Sequence, residues 1–295
     1  MPTLRRRPAA KKSVALVTDS TASLPEAVTE ERCITVVPLQ VIIGATAYDE
    51  GVEGGATPQL LAEALQSWTP VSTSRPNPEE MLEVYERLAE QGATEIVSVH
   101  LSADLSGTFE SAQLAAKRAP VPVFAVDSRQ VGMGAGFAVL AAAAARDEGM
   151  DGFEVAAAAR KRAADTTSLF YVDTLEYLRR GGRMGTTAAL LGSALAVKPI
   201  LKVDNGRVGP HERVRTAAKA LGRLEELAVE AAGDDPVEVA VAHLSSPERA
   251  AALAEKLGSR LAEGLQGRSV VVGEIGAVLG AHVGPGMVAV TVARR

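Results

Sequence analysis

Between Val14 and Glu148 the chain alternates short β-branched runs with longer amphipathic stretches, and this cadence limits the possible folds more than any other feature. Val14-Ala15-Leu16-Val17 is an apolar run that hands over to Thr18-Asp19-Ser20-Thr21, the polar end expected of a strand leading into a helix near Pro25. Ile34 to Ile43 is β-branched but broken by Pro38, so it reads as two extended pieces. Thr57 to Trp68 reads as a helix capped by Thr57, with Pro58 in its first turn. Asn77 caps the clearest helix: Glu80 completes a capping box, and Met81, Val84, Tyr85 and Leu88 form one apolar stripe that ends before Gly92. A strand over Ile96 to Val99, a helix after Ser106 with Phe109, Ala112 and Ala116 on one face, a strand over Val121 to Val126 and an alanine-rich helix to about Glu148 follow. Strand and helix in such alternation predict a parallel sheet covered on both faces. Ligands gather at the carboxyl ends of strands in such folds, so Thr18-Asp19-Ser20, the Ser102 to Thr108 loop and Asp127-Ser128 are expected to meet over one crevice.

Gly149 marks a candidate boundary, and a second unit follows it. Its expected elements are a helix over Phe153 to Asp165, a strand over Leu169 to Val172, the helix-like TLEYLRRGGRMG and the apolar TTAALLGSALAV. A hairpin then runs from Ile200 to Val208 through Asp204-Asn205-Gly206, because Asn-Gly between strand-like flanks suits a tight turn. Val237 to Val241, a helix from about Ser246 to Leu265, and strands at Val270 to Ile275 and Met287 to Ala293 complete a second α/β unit with a mixed sheet. The expected division is a disordered basic tail at 1–12, a first α/β domain at 13–150 and a second at 151–295, with a ligand tunnel between the two.

Composition excludes several classes of function. Hydrophobic residues make up 47% and charged residues 23%, the balance of an ordinary globular protein. Aromatics at 3% are too few for base-stacking platforms. Net charge is −5, yet Arg5, Arg6, Arg7, Lys11 and Lys12 lie in the tail; without them 26 basic residues face 36 acidic ones. An acidic body is a poor surface for a nucleic acid, so no such partner is expected. Cys33 is the single cysteine, which leaves no disulfide within the chain and fits a reducing cytoplasm. The weakly polar run from Val131 to Ala145 falls short of the ~20 residues of a membrane span.

Familiar catalytic signatures fit poorly. Gly132, Gly134 and Gly136 have the wrong spacing for a dinucleotide fingerprint and suit close helix packing. His100, His211, His243 and His282 lie far apart in sequence, with no pair at metal-ligand spacing. Ser106 invites a hydrolase reading, but Asp104 and Thr108 stand where a nucleophile elbow has glycines, and only geometry could supply a triad. The helix opening after Ser106 offers unpaired N–H groups and a positive dipole end, and Gly107 lets an anion approach the backbone. Against that stands the simpler role of Ser106 or Thr108 as a cap of its own helix. Val71 to Pro76, VSTSRP, reads as a polar loop with consecutive hydroxyls, and Gly280 to Gly286, GAHVGPG, adds a histidine in what reads as a loop.

Together these stretches resemble one family. VTDSTASLP (Val17 to Pro25), TSRP (Thr73 to Pro76), LSGTFESA (Leu105 to Ala112), VDS (Val126 to Ser128), YLRRGGRMG (Tyr177 to Gly185), VKPIL (Val197 to Leu201) and HVGPG (His282 to Gly286) are similar, in matching order, to the DegV family over about residues 13 to 293. The resemblance implies a non-catalytic fatty-acid-binding protein. Some members are the subunit of bacterial fatty acid kinase that presents an acyl carboxyl group to a separate catalytic subunit for acyl-phosphate formation. It implies a carboxyl site at Thr73, Ser74, Ser106, Gly107 and His282, with Arg75, Thr108, Asp19 and Ser20 as secondary candidates. Arg75 departs from the family, where glutamine is common. The expected ligand is a long-chain acid such as palmitate, stearate or oleate, with no metal or other cofactor. Arg179, Arg180 and Arg183 are candidates for docking the kinase, Leu190, Leu191 and Leu195 for the tunnel wall, and transient contact with a membrane surface is left open. Burying an acyl chain of about fifteen methylenes at ~0.8 kcal/mol each is worth ~12 kcal/mol gross relative to water, so the tail would dominate affinity and the head group would orient it. A serine-dependent acyl hydrolase and a small-carboxylate sensor are the alternative readings.

Overall fold

The computed structural model describes residues 13–184 and 198–295. In chain order the described strands are β1 (Val14–Asp19), β2 (Ile34–Val37), β3 (Gln40–Ile43), β4 (Thr46–Asp49), β5 (Val71–Ser74), β6 (Glu95–His100), β7 (Val123–Asp127), β8 (Thr166–Tyr171), β9 (Lys198–Asp204), β10 (Arg207–Val214), β11 (Val237–His243), β12 (Val271–Glu274) and β13 (Val288–Arg294). They form three sheets.

The first sheet has the order β2-β1-β6-β7 and is parallel throughout. One face packs Val17, Ile96 and Val37 against the helices Pro78–Glu90 and Thr108–Ala116. The other packs Leu16, Val97, Val99 and Val126 against the alanine-rich helices Met133–Asp147 and Gly152–Ala164. The strands are apolar on both sides for this reason. The Asn77 cap and its box with Glu80 form as the sequence predicts, and Met81 and Tyr85 are fully buried. The helix after Ser106 buries Thr108, Ser111, Ala112 and Ala115; the face expected through Phe109 and Ala116 is rotated from this one. Small residues at 134 and 136 permit close approach, since a Cβ on Gly136 would come within 2.6 Å of the Ala22 carbonyl oxygen.

The second sheet is mixed, in the order β10-β9-β8-β13-β11-β12, with only β11 and β12 parallel among its pairs. Its outer face carries Val288, Val290 and Val292 of β13 against the helices Ala217–Ala232 and Pro247–Arg260. The expected helix from Ser246 to Leu265 is two pieces, interrupted at Leu261, and the helix Ala217–Ala232 carries no element predicted from sequence. Asn205 and Gly206 both take positive φ, 47° and 85°, so the hairpin turn is the one Asn-Gly favours.

Pro38 separates strands of different sheets. β2 belongs to the parallel sheet, whereas β3 joins the antiparallel order β4-β3-β5. Leu39 and Val41, with Leu61, thereby enter a core with Phe170, Leu201 and Val278 of the second unit. The expected border at 150/151 falls just before the helix Gly152–Ala164, whose apolar side belongs to the first sheet's core. Cores are therefore shared across the sequence midpoint. Among the described residues no helix is long and apolar enough to cross a membrane.

Candidate functional site

A cavity of about 470 Å³ lies between the units. Its room comes from side-chain size. On the second sheet's inner face Ser168, Ala242, Ala289 and Thr291 line it, whereas the outer face of β13 carries valines. Leu101, Leu105, Val131, Phe170, Ile275 and Leu279 supply much of the apolar wall. Leu190, Leu191 and Leu195 lie outside the described residues.

Polar groups concentrate where β5 meets a short helix, Ala277–Val283. Val71 to Ser74, read from sequence as a polar loop, is a strand: it pairs with β3, and Thr73 stands opposite Val41. The stretch around His282, also read as a loop, is helical; His282 sits in its last turn, and Gly284 and Gly286, both at positive φ, carry the chain away. A Cβ on either glycine would collide with the Tyr177 ring or the Asp173 carboxylate. The two elements bring Thr73 Oγ1 to 2.9 Å from His282 Nε2. Ser74 donates its hydroxyl to Gln40 Oε1 at 3.0 Å.

Burial, with a smaller contribution from the Arg183 charge, pushes the His282 pKa down to about 4. The ring is neutral near pH 7 and carries one proton. With that proton on Nε2, the ring donates to Thr73 and leaves the threonine hydroxyl free to donate onward; with it on Nδ1, Thr73 donates to the ring. His282 Nδ1 is buried with no hydrogen-bond partner. It lies where a Cβ on Gly181 would be, which explains the first glycine of the Gly-Gly pair.

Ser106 and Gly107 line the same cavity from the first unit. Ser106 Oγ lies 2.9 Å from Thr108 Oγ1 and accepts the Thr108 N–H at 3.3 Å, while Gly107 is the residue at the helix cap and Thr108 is fully buried. Ser106 thus closes a local turn and also faces the cavity. Arg75 reaches across from the end of β5, donating to the Gly107 carbonyl at 3.0 Å and to Glu110 at 2.9 Å. Its guanidinium occupies the space that a Cβ on Gly107 would need.

Other sequence candidates lie elsewhere. Asp19 is buried below the cavity, accepting the N–H groups of Thr21 and Leu101 and pairing with His100 Nδ1 at 2.9 Å; Ser20 Oγ accepts the Leu39 N–H. Asp127 accepts the N–H groups of Ala103 and Arg129. Of the three loops expected over one crevice, only 102–108 reaches it, because the acids of the other two are used to latch the backbone. Arg179 is exposed, and Arg180 pairs with Glu176 and covers the Trp68 ring at 5.6 Å. Arg183 departs from this group: it lines the cavity and donates to the Leu105 and Gly181 carbonyls. It is a cavity cation that the sequence reading placed at a docking surface.

Glu50 was not singled out from sequence. It is buried, accepts the Val278 N–H at 2.8 Å at the start of the His282 helix, and its pKa is raised, chiefly by burial. Ser98, His100 and Asp19 have the bonding order of a hydrolase triad, but their exposures are 0%, 0% and 1%, and Tyr85 donates to Ser98. That serine is sealed from any substrate. Among the described residues, no group of three or more His, Cys, Asp or Glu is placed to hold a metal ion.

The family model described as uncharacterised protein of the DegV family matches residues 13–295. This chain belongs to the DegV family. A DegV domain-containing protein of Streptomyces coelicolor is 54% identical over 284 residues, covering 96% of this chain and 99% of that one. The structure of a fatty-acid-binding DegV family protein from Thermus thermophilus superposes with a TM-score of 0.88 at 33% identity, covering 96% of this chain and all of that one. DegV of Bacillus subtilis, described as a fatty acid binding protein, gives 0.87 at 32% identity with the same coverage.

Proposed function

We propose that this DegV protein binds a long-chain fatty acid in the 470 Å³ cavity, with the carboxyl group at Thr73, Ser74, Ser106, Gly107 and His282. The reading rests on one observation above all: an apolar cavity with hydroxyls, an imidazole and two guanidinium groups gathered in its wall. The apolar length favours the chain, at ~0.8 kcal/mol for each buried methylene. Hydroxyl donors offset the cost of desolvating the acid, and Arg75 and Arg183 supply charge. The neutral His282 orients the Thr73 hydroxyl. A short carboxylate would leave most of the apolar wall empty.

The same reading extends to a carrier role in the cytoplasm: the carboxyl group is presented to a separate kinase, which makes the acyl phosphate for phospholipid synthesis. Exposed Arg179 and Arg180 suit an acidic face on that kinase. Mass spectrometry of ligand released from denatured, freshly purified protein should show near-stoichiometric saturated or monounsaturated acid, and Thr73→Val with Ser106→Ala should weaken binding at least tenfold. An empty cavity that takes up no added acid would overturn the proposal. Acyl ester turnover without a partner, lost in Ser106→Ala, would replace it with the hydrolase reading.

A further inference from the structure

A second apolar cleft of about 230 Å³ lies beyond the cavity, between the helix Met133–Asp147 and the β11–β12 edge of the second sheet. Leu24, Val28, Phe137 and Leu140 line it, and its outer end reaches the exposed residues Ser269 and Val271. Met133 lines both spaces. It is buried at the first position of its helix, directly after Gly132, whose φ is +61°. Its sulfur lies 3.2 Å from the position a Gly136 Cβ would take, so the absence of a side chain at 136 gives the thioether its seat. Phe137, Ala240 and Ala293 complete the small core around it. The side chain that the two spaces share is unbranched and rotatable, and it adapts to a neighbouring group more readily than a branched one.

We infer that Met133 is the end wall of the acyl channel and sets the longest chain this protein accommodates, and that the cleft beyond it is an unused subsite for additional terminal carbons. The inference rests on the fatty-acid reading of the cavity. An acid short enough to end before Met133 gains buried surface with every added methylene, and a longer one must displace the thioether or leave carbons outside. Affinity should then rise by about fourfold per methylene, the equivalent of ~0.8 kcal/mol, and level off at one length.

Dissociation constants of the whole chain for the saturated series from laurate to behenate test this directly. Met133→Ala should move the break in the series to longer acids, and Met133→Phe should move it to shorter ones. Adding Val28→Trp, which fills the cleft without touching the cavity, should return Met133→Ala toward the original break. An unchanged break in either folded Met133 variant, with laurate still bound, overturns the inference and leaves the fatty-acid site standing. Failure of the unaltered protein to bind any acid of the series removes both.

Discussion

His100 and His282 both lie inside the molecule, and they are held in opposite ways. His100 meets Ser98 Oγ at 2.7 Å through Nε2 and Asp19 Oδ2 at 2.9 Å through Nδ1, and Asp19 also accepts the Leu101 and Thr21 N–H groups. Tyr85 closes the network by donating to Ser98, and burial pushes its own pKa up to about 12. His282 has Thr73 on one nitrogen and nothing on the other, beside a cavity. A network with every group satisfied holds a fold in place, while at the cavity wall the capacity left for a ligand is that of the Thr73 hydroxyl, because the unpartnered His282 nitrogen packs against Gly181.

The largest test of that contrast is Asp19→Ala. It removes the shared acceptor of two buried backbone N–H groups and of the His100 ring, so unfolding in denaturant should show a loss of ~3–5 kcal/mol. A loss below ~1 kcal/mol would mean that the network does not secure the ends of β1 and β6.

His282→Leu should reverse the pattern. Stability should stay within ~1 kcal/mol, because an unpartnered buried nitrogen is removed along with one hydrogen bond, while fatty-acid affinity falls about tenfold. The same variant isolates the pH dependence that His282 contributes. From about pH 6.5 downward the unfolded chain takes up a proton on this imidazole, and the folded chain does so only near pH 4. Stability from this group is therefore full above pH 6.5 and is lost as pH falls toward 4. Denaturant midpoints measured across that window should decline less steeply in His282→Leu; parallel curves would show that His282 does not titrate this way.

Arg75→Gln should have the smallest effect on folding. The Arg75–Glu110 pair is 48% and 66% exposed, so stability should change by no more than ~0.5 kcal/mol. A larger loss would place Arg75 with the scaffold.

The parallel first sheet was legible in the sequence because its strands are buried on both faces and its helices carry local signals such as the Asn77 cap. The hydroxyl motifs at Thr73 and Ser106 were equally visible, but their surroundings were not. His282 reads as a loop residue because glycines follow it, and its seven-residue helix is too short for a clear period; what fixes that helix is Glu50, more than 200 positions away. Arg183 reads as surface charge in a cluster with Arg179 and Arg180, and only the fold of the Gly181-Gly182 turn aims it inward. Asp19 looks like a site residue for the converse reason: its position at the end of β1 is right, but the residue is spent on His100 and Leu101. Local pattern specifies elements, and long-range partners decide which polar residues remain available.

The tip of the β9–β10 hairpin carries one more consequence. The Gly206 carbonyl accepts the Ser102 hydroxyl at 2.7 Å, and Arg207 binds Asp104 at 2.9 Å, so a turn of one unit is bolted to the loop that leads into Ser106 in the other. If the halves part to admit a guest, this bolt must act as the pivot or be withdrawn, and breathing elsewhere leaves the Ser106 corner still. On the fatty-acid reading proposed above, the carboxyl end of the channel is the end that these two contacts anchor.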